Sequence, residues 1–393
     1  MTKQVLHLLN LDTLGGVEEL FVHFLEHAQN QKVAQHHLLN TGNQPHPFFR
    51  KKLSAAASTT HEKHLFGIKL PRLFRSLQQR AACKKSRPDT VLLWNRIVPL
   101  NEIKKTAPNA HIIYYEHGAS WISSQTKDMR LFFDSVDALI TISHAAKRML
   151  ELKWGIQRPI TVVHNPLKPQ TSMPAVARKA PDSTKRPFVI GYVGRLIALK
   201  GVHLLLHAVA ELSRRAIPVS LQIAGTGPCK ESLERLAHTL GIQHLCHFLG
   251  CVENVWQLYD SIDVLVIPSI REPLGLVAQE AQIRGCPVIA SDVDGLPEVV
   301  ADGKTGFTIR PTIECRLYKE FGCDKAELPD LVYDPTTDQL LPAKLVNPHD
   351  LAEKLALLAT NPTLYEACSR QAIEHAHKRP TFTHYVGELL SVI

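Results

Sequence analysis

Two cations and two carboxylates in the second half of the sequence lie near glycines, where they could hold an anion and hydroxyl groups. Arg195 and Lys200 flank a short loop between a predicted strand, which ends at Gly194, and a predicted helix, which opens near Gly201. Two cations at the carboxyl end of a strand, beside a helix N-terminus, suit a diphosphate, because side chains supply charge and backbone N–H groups supply donors. An exposed loop with ordinary surface cations explains the same pattern on these residues alone.

The stretch REPLGLVAQEA adds two carboxylates, Glu272 and Glu280, on either side of a glycine. A helix that starts at Gly275 leaves the N–H groups of Leu276 and Val277 without intrahelical partners, and a glycine lets an anion approach the backbone closely. Glu280, a little over one turn into that helix, is placed to accept hydrogen bonds from both hydroxyls of a ribose. Glu272 could reach a sugar hydroxyl on the other side of the phosphates. The alternative is a helix-capping acid plus a solvated helix face, which accounts for Glu272 better than for Glu280.

Short apolar runs alternate with helix-period stretches almost throughout the chain. The runs are VLHLLN, TVLLWN, AHIIYY, ALITIS and ITVVHN in the first half, and FVIGYVG, VSLQIAG, LCHFLG, VLVIPS and CPVIAS in the second. The helical stretches include Val17–Ala28, Gly201–Arg215, Lys230–Leu240 and Gly275–Arg284. Strands without in/out alternation, separated by helices, are typical of parallel sheets buried on both faces. The sequence therefore predicts an α/β protein with two doubly wound domains.

The predicted boundary lies in a stretch rich in Pro, Ser, Thr and Lys. We expect a first domain over residues 1–170, a linker over 171–187, and a second domain over 188–379. Residues 311–342 are irregular and are interpreted as an insertion in the second domain. The last helix, within 380–393, is expected to complete the first domain.

Composition and cysteine usage indicate an ordinary soluble protein. The chain has 393 residues, of which 45% are hydrophobic and 21% are charged. No stretch approaches 18 consecutive apolar residues, and the start lacks the apolar core of a secretory signal. The eight cysteines form no C-x-x-C pair, so we expect reduced thiols and a cytoplasmic protein.

The net charge of +8 is spread unevenly. Residues 1–180 carry 25 Lys and Arg against 12 Asp and Glu, whereas residues 181–393 carry 20 against 25. Residues 63–87 alone hold eight basic side chains and no acidic one. A basic first half favours an anionic partner: a phosphorylated acceptor, a lipid surface or nucleic acid.

Five motifs of the second half, in their order, resemble a known family. GYVGRLIALKG, IAGTGP, HFLGCV, VLVIPSIREPLGLVAQEA and GCPVIASDVDGLPEVVADGKTGF are similar to the donor half of the family 4 retaining glycosyltransferases, which have the GT-B fold. The likeness is close over about residues 188–307 and looser in the first half. It implies two Rossmann-like domains facing across a cleft that holds a nucleotide-sugar donor.

The resemblance also assigns roles to the residues that match its motifs. Arg195 and Lys200 would bind the pyrophosphate, together with the amides that follow Gly275. Glu280 would bind the ribose, and Glu272 the transferred sugar. The donor is a substrate, so no cofactor is expected, and the family needs no metal.

The first half contributes two further candidates. Gly15 and Gly16 lie between a predicted strand and helix, where the family carries a glycine-rich loop close to the phosphates and sugar; a tight strand–helix turn is the other interpretation. His117 follows the strand HIIYY and matches the family histidine that contacts the sugar near the reacting carbon. A lone histidine is more often structural. Ser143 is interpreted as a helix N-cap.

The basic stretch has two interpretations. Leu70, Leu73, Phe74 and Leu77 fall at helical spacing, which predicts a helix packed on the sheet of the first domain. Its cations could in addition contact an anionic membrane or a phosphorylated glycan. The protein would then be peripheral on the inner face of the membrane.

Three tempting motifs are set aside. DVD at 292–294 imitates a metal-binding D-x-D pair, but it lies in a loop where this family needs no metal. DGKTG at 302–306 lacks the first glycine of a P-loop, and GTGPCK at 225–230 lacks the third glycine of a dinucleotide fingerprint.

The predicted function is metal-independent transfer of a hexose, with retained configuration, to a glycan or lipid-linked glycan of the bacterial envelope, such as lipopolysaccharide. One rival is another GT-B enzyme, such as a sugar-nucleotide epimerase. A second rival is a basic nucleic-acid-binding protein, but the sequence has no recognition helix and no interleaved aromatic residues, so no nucleic-acid partner is expected.

Overall fold

The computed structural model forms two compact units, which are described separately. Unit 1 comprises Met1–Pro169 and Pro380–Ile393, and unit 2 comprises Gln170–Arg379. The structure describes residues 2–12, 15–50, 52–55, 58–61, 64–65, 68–69, 71, 74–122, 127–167, 176–182, 184–323 and 327–393.

Unit 1 is built on a seven-stranded sheet of order β3-β2-β1-β6-β7-β8-β9, in which every neighbouring pair is parallel. A small antiparallel hairpin, β4–β5, lies outside it. The strands are β1 (Lys3–Leu9), β2 (Ala34–Asn40), β3 (Ser58–His61), β4 (His64–Leu65), β5 (Ile68–Lys69), β6 (Thr90–Trp94), β7 (His111–Glu116), β8 (Ala138–Thr141) and β9 (Thr161–Val162).

Helices cover this sheet, and the last of them comes from the C-terminus of the chain. They are α1 (Gly16–Gln31), α2 (Pro47–Arg50), α3 (Arg75–Ser86), α4 (Asn101–Thr106), α5 (Ala119–Ile122), α6 (Lys127–Ser135), α7 (His144–Trp154) and α14 (Phe382–Val392). Ser143 is the N-cap of α7, as predicted: its Oγ accepts the Ala146 amide at 3.0 Å. The C-terminal segment is tied to β6, because Thr90 Oγ1 donates to the Ile393 carbonyl at 2.8 Å.

The predicted face of the helix in the basic stretch is wrong. Phe74 and Leu77 are 49% and 51% exposed. The buried side of α3 consists of small and polar side chains: Gln78, Gln79, Ala82, Cys83 and Ser86. Leu70 and Leu73 lie outside the described residues. The helical spacing of apolar residues thus predicted the helix at about the right position. It predicted the wrong side of that helix as the one packed on the sheet.

The core of unit 1 contains a buried histidine pair. His7 in β1 and His36 in β2 are 0% and 3% exposed, and their rings are joined by a bond of 2.9 Å from Nε2 of His7 to Nδ1 of His36. Trp94 Nε1 donates to His7 Nδ1 at 3.1 Å. That bond places the His7 proton on Nε2, so His7 is the donor to His36. Both rings are therefore held in their neutral form.

Unit 2 is a second parallel sheet, of order β12-β11-β10-β13-β14-β15. Its strands are β10 (Phe188–Val193), β11 (Val219–Ala224), β12 (Cys246–Gly250), β13 (Val264–Ile267), β14 (Val288–Ser291) and β15 (Gly306–Ile309). Its helices are α8 (Val202–Arg214), α9 (Lys230–Thr239), α10 (Val255–Ser261), α11 (Leu276–Ile283), α12 (Pro348–Thr360) and α13 (Pro362–His377).

Residues 311–342, predicted to be irregular, contain secondary structure. β16 (Ile313–Glu314) pairs antiparallel with β19 (Lys344–Leu345), and β17 (Leu331–Asp334) pairs antiparallel with β18 (Gln339–Pro342). A 3-10 helix at Cys315–Phe321 lies between β16 and β17. Short strands and a 3-10 helix carry little periodicity, which explains why the sequence pattern does not reveal them.

Arg178, in the described part of the predicted linker, belongs to unit 2 and is bonded to the helices of that unit. Its guanidinium donates to the carbonyls of Tyr259, Ile262 and Arg284 at 2.6 to 2.8 Å. These carbonyls end α10 and α11, where a cation also complements the helix dipole.

All eight cysteines are free thiols, as the sequence predicts. Among the described residues, no helix has the length and apolar character needed to cross a membrane.

Candidate active site

The predicted anion-binding segments of unit 2 follow two adjacent strands. β10 pairs with β11 on one side and with β13 on the other, so the strand order reverses between β10 and β13. Ligands of doubly wound sheets bind outside the carboxyl ends of the strands at such a reversal. Arg195 and Lys200 follow β10, while Glu272 and Gly275 follow β13. The topology therefore brings together two segments that are more than 70 residues apart in sequence.

The loop that carries Arg195 is held by its neighbours. Tyr192 donates its hydroxyl to the Arg195 carbonyl at 3.0 Å. A Cβ at Gly225 would lie 1.8 Å from the Gly194 oxygen, and one at Gly227 would lie 2.4 Å from the Leu196 oxygen. The glycines of GTGPCK are therefore required by close backbone packing against this loop. The Arg195 side chain itself is exposed.

Lys200 and Glu272 form an ion pair. Lys200 Nζ lies 2.5 Å from Glu272 Oε2, and the two side chains are 20% and 15% exposed. Lys200 ends a 3-10 turn, Ala198–Lys200, just before α8. Because an ammonium group has three donors, Lys200 can hold Glu272 and still donate to a phosphate. The carboxylate nevertheless offsets part of the positive charge that Lys200 would offer to an anion.

The backbone of Glu272 is fixed by the loop that contains the DVD motif. Asp294 is fully buried and has φ of 49°. Its Oδ2 accepts the Glu272 amide at 3.0 Å, and its Oδ1 accepts the Tyr333 amide at 2.8 Å. Gly295 donates its amide to the Glu272 carbonyl at 3.1 Å. Both carboxylate oxygens of Asp294 are thus engaged by backbone amides, which gives this motif residue a structural role.

Helix α11 begins as predicted, after Gly275. This glycine is the N-cap with φ of 92°, and a Cβ there would lie 2.7 Å from Leu296 Cδ2. The amides of Leu276 and Val277 belong to the first turn and have no partner within the helix. The helix N-terminus is therefore able to receive an anion.

Glu280 is buried in α11, which excludes the solvated helix face. It is 6% exposed, and Tyr259 donates its hydroxyl to Glu280 Oε2 at 2.8 Å. Burial, with the nearby carboxylate, raises the pKa of Tyr259 well above its usual range, so the hydroxyl keeps its proton and remains a donor. Sequence reasoning missed Tyr259, since nothing in its local pattern shows that it faces α11.

The candidate residues of unit 1 also lie at a carboxyl edge. Gly15 and Gly16 connect β1 to α1, and His117 follows β7. The strand order reverses between β1 and β6, so Asn95, which follows β6, lies at the same edge. Asn95 Oδ1 accepts the amide of His117 at 3.0 Å. A Cβ on Gly15 would lie 2.5 Å from Glu18 Oε2, so a side chain at this position would require Glu18 to move.

His117 is a buried imidazole without a partner. It is 8% exposed, its ring stacks on Trp94 with centroids 5.8 Å apart, and neither ring nitrogen has a hydrogen-bond partner among the described residues. Burial lowers the pKa of His117 to about 3, so the ring is neutral. A neutral ring offers one donor and one acceptor, and buried polar atoms rarely stay unpaired without a functional reason. This arrangement supports a binding role over a purely structural one.

Glu116 organises the turn around His117. It is fully buried and accepts the Tyr114 hydroxyl at 2.6 Å, the Ser120 amide at 3.2 Å and the Gly118 amide. Burial raises the pKa of Glu116, while these hydrogen bonds oppose that shift. Sequence reasoning assigned no role to Glu116. The sequence did contain one signal for such a role, because Glu116 is a charged residue at the end of an apolar strand.

Two family models match the chain, one in each half. "Glycosyltransferase Family 4" matches residues 14–171, and "Glycosyl transferases group 1" matches residues 175–317. The chain belongs to the family 4 glycosyltransferases.

Curated relatives agree with this family. The lipopolysaccharide core biosynthesis glycosyltransferases LpsE and LpsD of Rhizobium meliloti (strain 1021) are 27% and 29% identical to the chain. The matches cover 75% and 74% of the chain and 81% and 79% of those proteins. A D-inositol 3-phosphate glycosyltransferase of Corynebacterium urealyticum is 42% identical over 34% of each chain.

Solved structures confirm the predicted GT-B fold class. The Anabaena protein Alr3699/HepE, in complex with UDP and glucose, superposes with a TM-score of 0.73 at 17% identity over 99% of both chains. WaaG, a glycosyltransferase involved in lipopolysaccharide biosynthesis, superposes with a TM-score of 0.67 at 16% identity over 99% of both chains.

Proposed function

We propose that this glycosyltransferase moves a hexose from a nucleoside-diphosphate sugar to a glycan of the bacterial envelope, with retention of configuration. The observation that carries the donor assignment is the arrangement in unit 2. Buried Glu280, the open N-terminus of α11, and the cations Arg195 and Lys200 all lie at or next to the carboxyl edge where the strand order reverses. In this assignment Glu280 binds the ribose, the α11 N-terminus and the two cations bind the diphosphate, and Glu272, next to Lys200, binds the sugar.

In the proposed mechanism, the protein stabilises charge on the leaving group. As the acceptor hydroxyl oxygen bonds to the sugar carbon and the bond from that carbon to the diphosphate breaks, negative charge builds on the departing diphosphate oxygens, which take up the acceptor proton. Arg195, Lys200 and the first-turn amides of α11 would stabilise that charge. Neutral His117 would donate a hydrogen bond to a sugar hydroxyl, and Glu272 would accept one. These groups supply the electrostatic stabilisation themselves, so we propose that no metal is required.

Lipopolysaccharide core assembly is the proposed pathway, with a glycan or lipid-linked glycan as acceptor. Support comes from the names of LpsE and LpsD, each of which aligns with about three quarters of the chain. A sugar-nucleotide epimerase, the other candidate, would convert the donor without transferring its sugar. Comparing turnover with and without an acceptor glycan distinguishes these two activities.

The donor assignment is tested by slow hydrolysis of a panel of nucleotide sugars without acceptor. We expect one donor to be hydrolysed at the same rate with and without a metal chelator. Glu280→Ala should lose at least about tenfold to hundredfold in kcat/KM, because the loss of even one hydrogen bond to a charged group costs about 1.5–3 kcal/mol. Glu231→Gln is a matched control, since the Glu231 side chain is 88% exposed. Unchanged hydrolysis by Glu280→Ala would contradict the ribose assignment.

We further propose that the protein is cytoplasmic and contacts the inner face of the membrane through α3. Exposed Leu77 lies on α3 with the exposed cations Arg80, Lys84 and Lys85, and exposed Phe74 is the N-cap residue of that helix. Residues 63, 66–67, 70 and 72–73 of the basic stretch, all of which precede α3, lie outside the described residues. Sedimentation with phosphatidylglycerol vesicles should exceed that with phosphatidylcholine vesicles and should fall in the double variant Lys84→Glu, Lys85→Glu. Equal sedimentation with both vesicles would contradict the proposal.

A further inference from the structure

Residues 311–342, referred to here as the insertion, contact the segment that carries Lys200 directly and are linked through Asp294 to the segment that carries Glu272. The family model for the second half ends at residue 317, near the start of the insertion. Its 3-10 helix binds the segment that follows β10, and its β17–β18 hairpin binds Asp294 in the loop that follows β14.

The first contact joins the 3-10 helix of the insertion to the turn that ends at Lys200. Tyr318 is 2% exposed, and its hydroxyl donates to the Ala198 carbonyl at 2.8 Å. The same hydroxyl lies 3.3 Å from His203 Nδ1. Because the single hydroxyl proton is directed to Ala198, the imidazole Nδ1–H is the donor in the second bond. Tyr318 therefore links the 198–200 turn to the first turn of α8.

A second aromatic residue extends this contact along α8. His207 lies one helical turn after His203, and its ring meets Phe321 edge-on with centroids 5.3 Å apart. Two histidines at i and i+4 lie on the same face of the helix. The 3-10 helix of the insertion packs against that face. The helix that begins directly after Lys200 is thus covered by the insertion.

The second contact joins the hairpin to Glu272 through one carboxylate. The Tyr333 amide in β17 binds Asp294 Oδ1, and the Glu272 amide binds Oδ2 of the same side chain. The Asp294 amide in turn donates to the Tyr333 carbonyl at 2.9 Å. The hairpin and the Glu272 loop are therefore bridged by a single buried aspartate.

We propose that the insertion is a brace for the donor site, with Tyr318 positioning the Lys200 turn and Asp294 positioning Glu272. This inference rests on the proposed function. The first contact ends on the backbone of the Lys200 turn, whereas the second reaches the backbone of Glu272 through the Asp294 side chain. A brace with this geometry sets the separation of Lys200 and Glu272, which the diphosphate and the sugar must fit. Pre-organisation of this kind reduces the cost of ordering the site when the donor binds.

The test compares Tyr318→Phe with Tyr365→Phe. Tyr365 is a fully buried tyrosine of α13 in the same unit, so the control removes the same group away from the site. Calorimetric titration with UDP, GDP and ADP first selects the nucleotide that the wild type binds. Tyr318→Phe should weaken that binding about fivefold to tenfold, the equivalent of one lost hydrogen bond. The control should change it less than about twofold at a similar loss of thermal stability.

A second variant separates the two arms of the brace. Asp294→Asn keeps one acceptor oxygen but replaces the other with an amide that cannot accept, so Glu272 and Tyr333 can no longer both be held. Because Glu272 is assigned to the sugar, this variant should raise the KM for the nucleotide sugar in acceptor-free hydrolysis while nucleoside-diphosphate affinity changes less.

Equal effects of Tyr318→Phe and Tyr365→Phe on nucleotide binding would overturn the brace and leave the insertion as ordinary packing. Failure of the wild type to bind any of the three nucleotides would overturn the proposed function, and the brace with it. An unchanged KM for a folded Asp294→Asn protein would contradict the part of the proposal in which the hairpin positions Glu272 through Asp294. The Tyr318 comparison remains decisive for the other arm even where Asp294→Asn does not fold.

Discussion

Lys200 Nζ and Glu272 Oε2 lie 2.5 Å apart, so the cation assigned to the diphosphate and the carboxylate assigned to the sugar are paired with each other. The pair is largely sheltered from water. In such an environment the attraction between opposite charges is stronger than on an open surface. A donor that binds here must share Lys200 with Glu272.

Glu272→Gln should bind a free nucleoside diphosphate more tightly than the wild type does, by about threefold to tenfold. The substitution removes the negative charge that offsets Lys200. It should also slow hydrolysis of the nucleotide sugar, because the carboxylate can no longer accept a strong hydrogen bond from the sugar. Calorimetry and acceptor-free hydrolysis measure the two effects.

Lys200→Ala provides the opposite case and should weaken nucleoside-diphosphate binding by about tenfold or more. Lys185→Ala is a suitable control, since the Lys185 side chain is 79% exposed. If Glu272→Gln and Lys200→Ala both weaken binding to the same extent, the charge argument is wrong.

Tyr259→Phe should raise the KM for the donor by about fivefold, through the loss of a hydrogen bond that orients Glu280. The variant leaves the carboxylate in place, so its effect should be smaller than that of Glu280→Ala. Steady-state hydrolysis of the nucleotide sugar gives both values. A larger loss in Tyr259→Phe than in Glu280→Ala would show that the tyrosine acts on the donor directly.

His117→Phe should abolish turnover without loss of stability. The substitution removes two buried ring nitrogens that have no partner among the described residues, and removing an unpaired buried polar group is neutral or stabilising. Thermal unfolding and hydrolysis assays test the two halves of this prediction. A His117→Phe protein that keeps its activity would return His117 to a structural role.

The histidine pair His7–His36 should make the protein less stable in acid. Burial lowers the pKa of His36 to about 4 and that of His7 well below its usual range, whereas the unfolded chain protonates these residues near pH 6.5. Their contribution to stability is therefore complete above pH 6.5 and is lost as the pH falls towards 4.

For His36 alone, this linkage amounts to about 2 kcal/mol of the free energy of unfolding between pH 7.5 and pH 5. Urea-induced unfolding at the two pH values measures it, and His36→Leu should reduce the difference by about that amount. An unchanged pH dependence in His36→Leu would show that the imidazole is charged or solvated in the folded protein.

Much of the fold could be predicted because buried parallel strands appear as short apolar runs. The helices predicted from periodicity, such as α8 and α11, end within one turn of their predicted limits. β2 was missed because His36 and His37 interrupt its apolar pattern, although both are buried. The predicted orientation of α3 was wrong. The spacing of apolar residues predicts an amphipathic helix, whereas the elements packed against that helix decide which of its sides is buried.

The candidate site was also predicted only in part: its charged residues were found from the sequence, whereas the residues that hold them in place were not. Motifs at the ends of strands locate Arg195, Lys200, Glu272 and Glu280, because parallel strands bring such segments to one edge. The groups that hold them are distant in sequence: Tyr318 is 120 residues from Ala198. A single sequence records no such pairing. The i, i+4 histidines of α8 were the one local sign that another element covers that helix.

The donor site is tested most directly by a crystal structure of the protein with the nucleoside diphosphate that it binds. We predict that the diphosphate contacts Arg195, Lys200 and the amides of Leu276 and Val277, and that both ribose hydroxyls donate to Glu280. A nucleotide bound elsewhere, or one that leaves Glu280 uncontacted, would contradict the account.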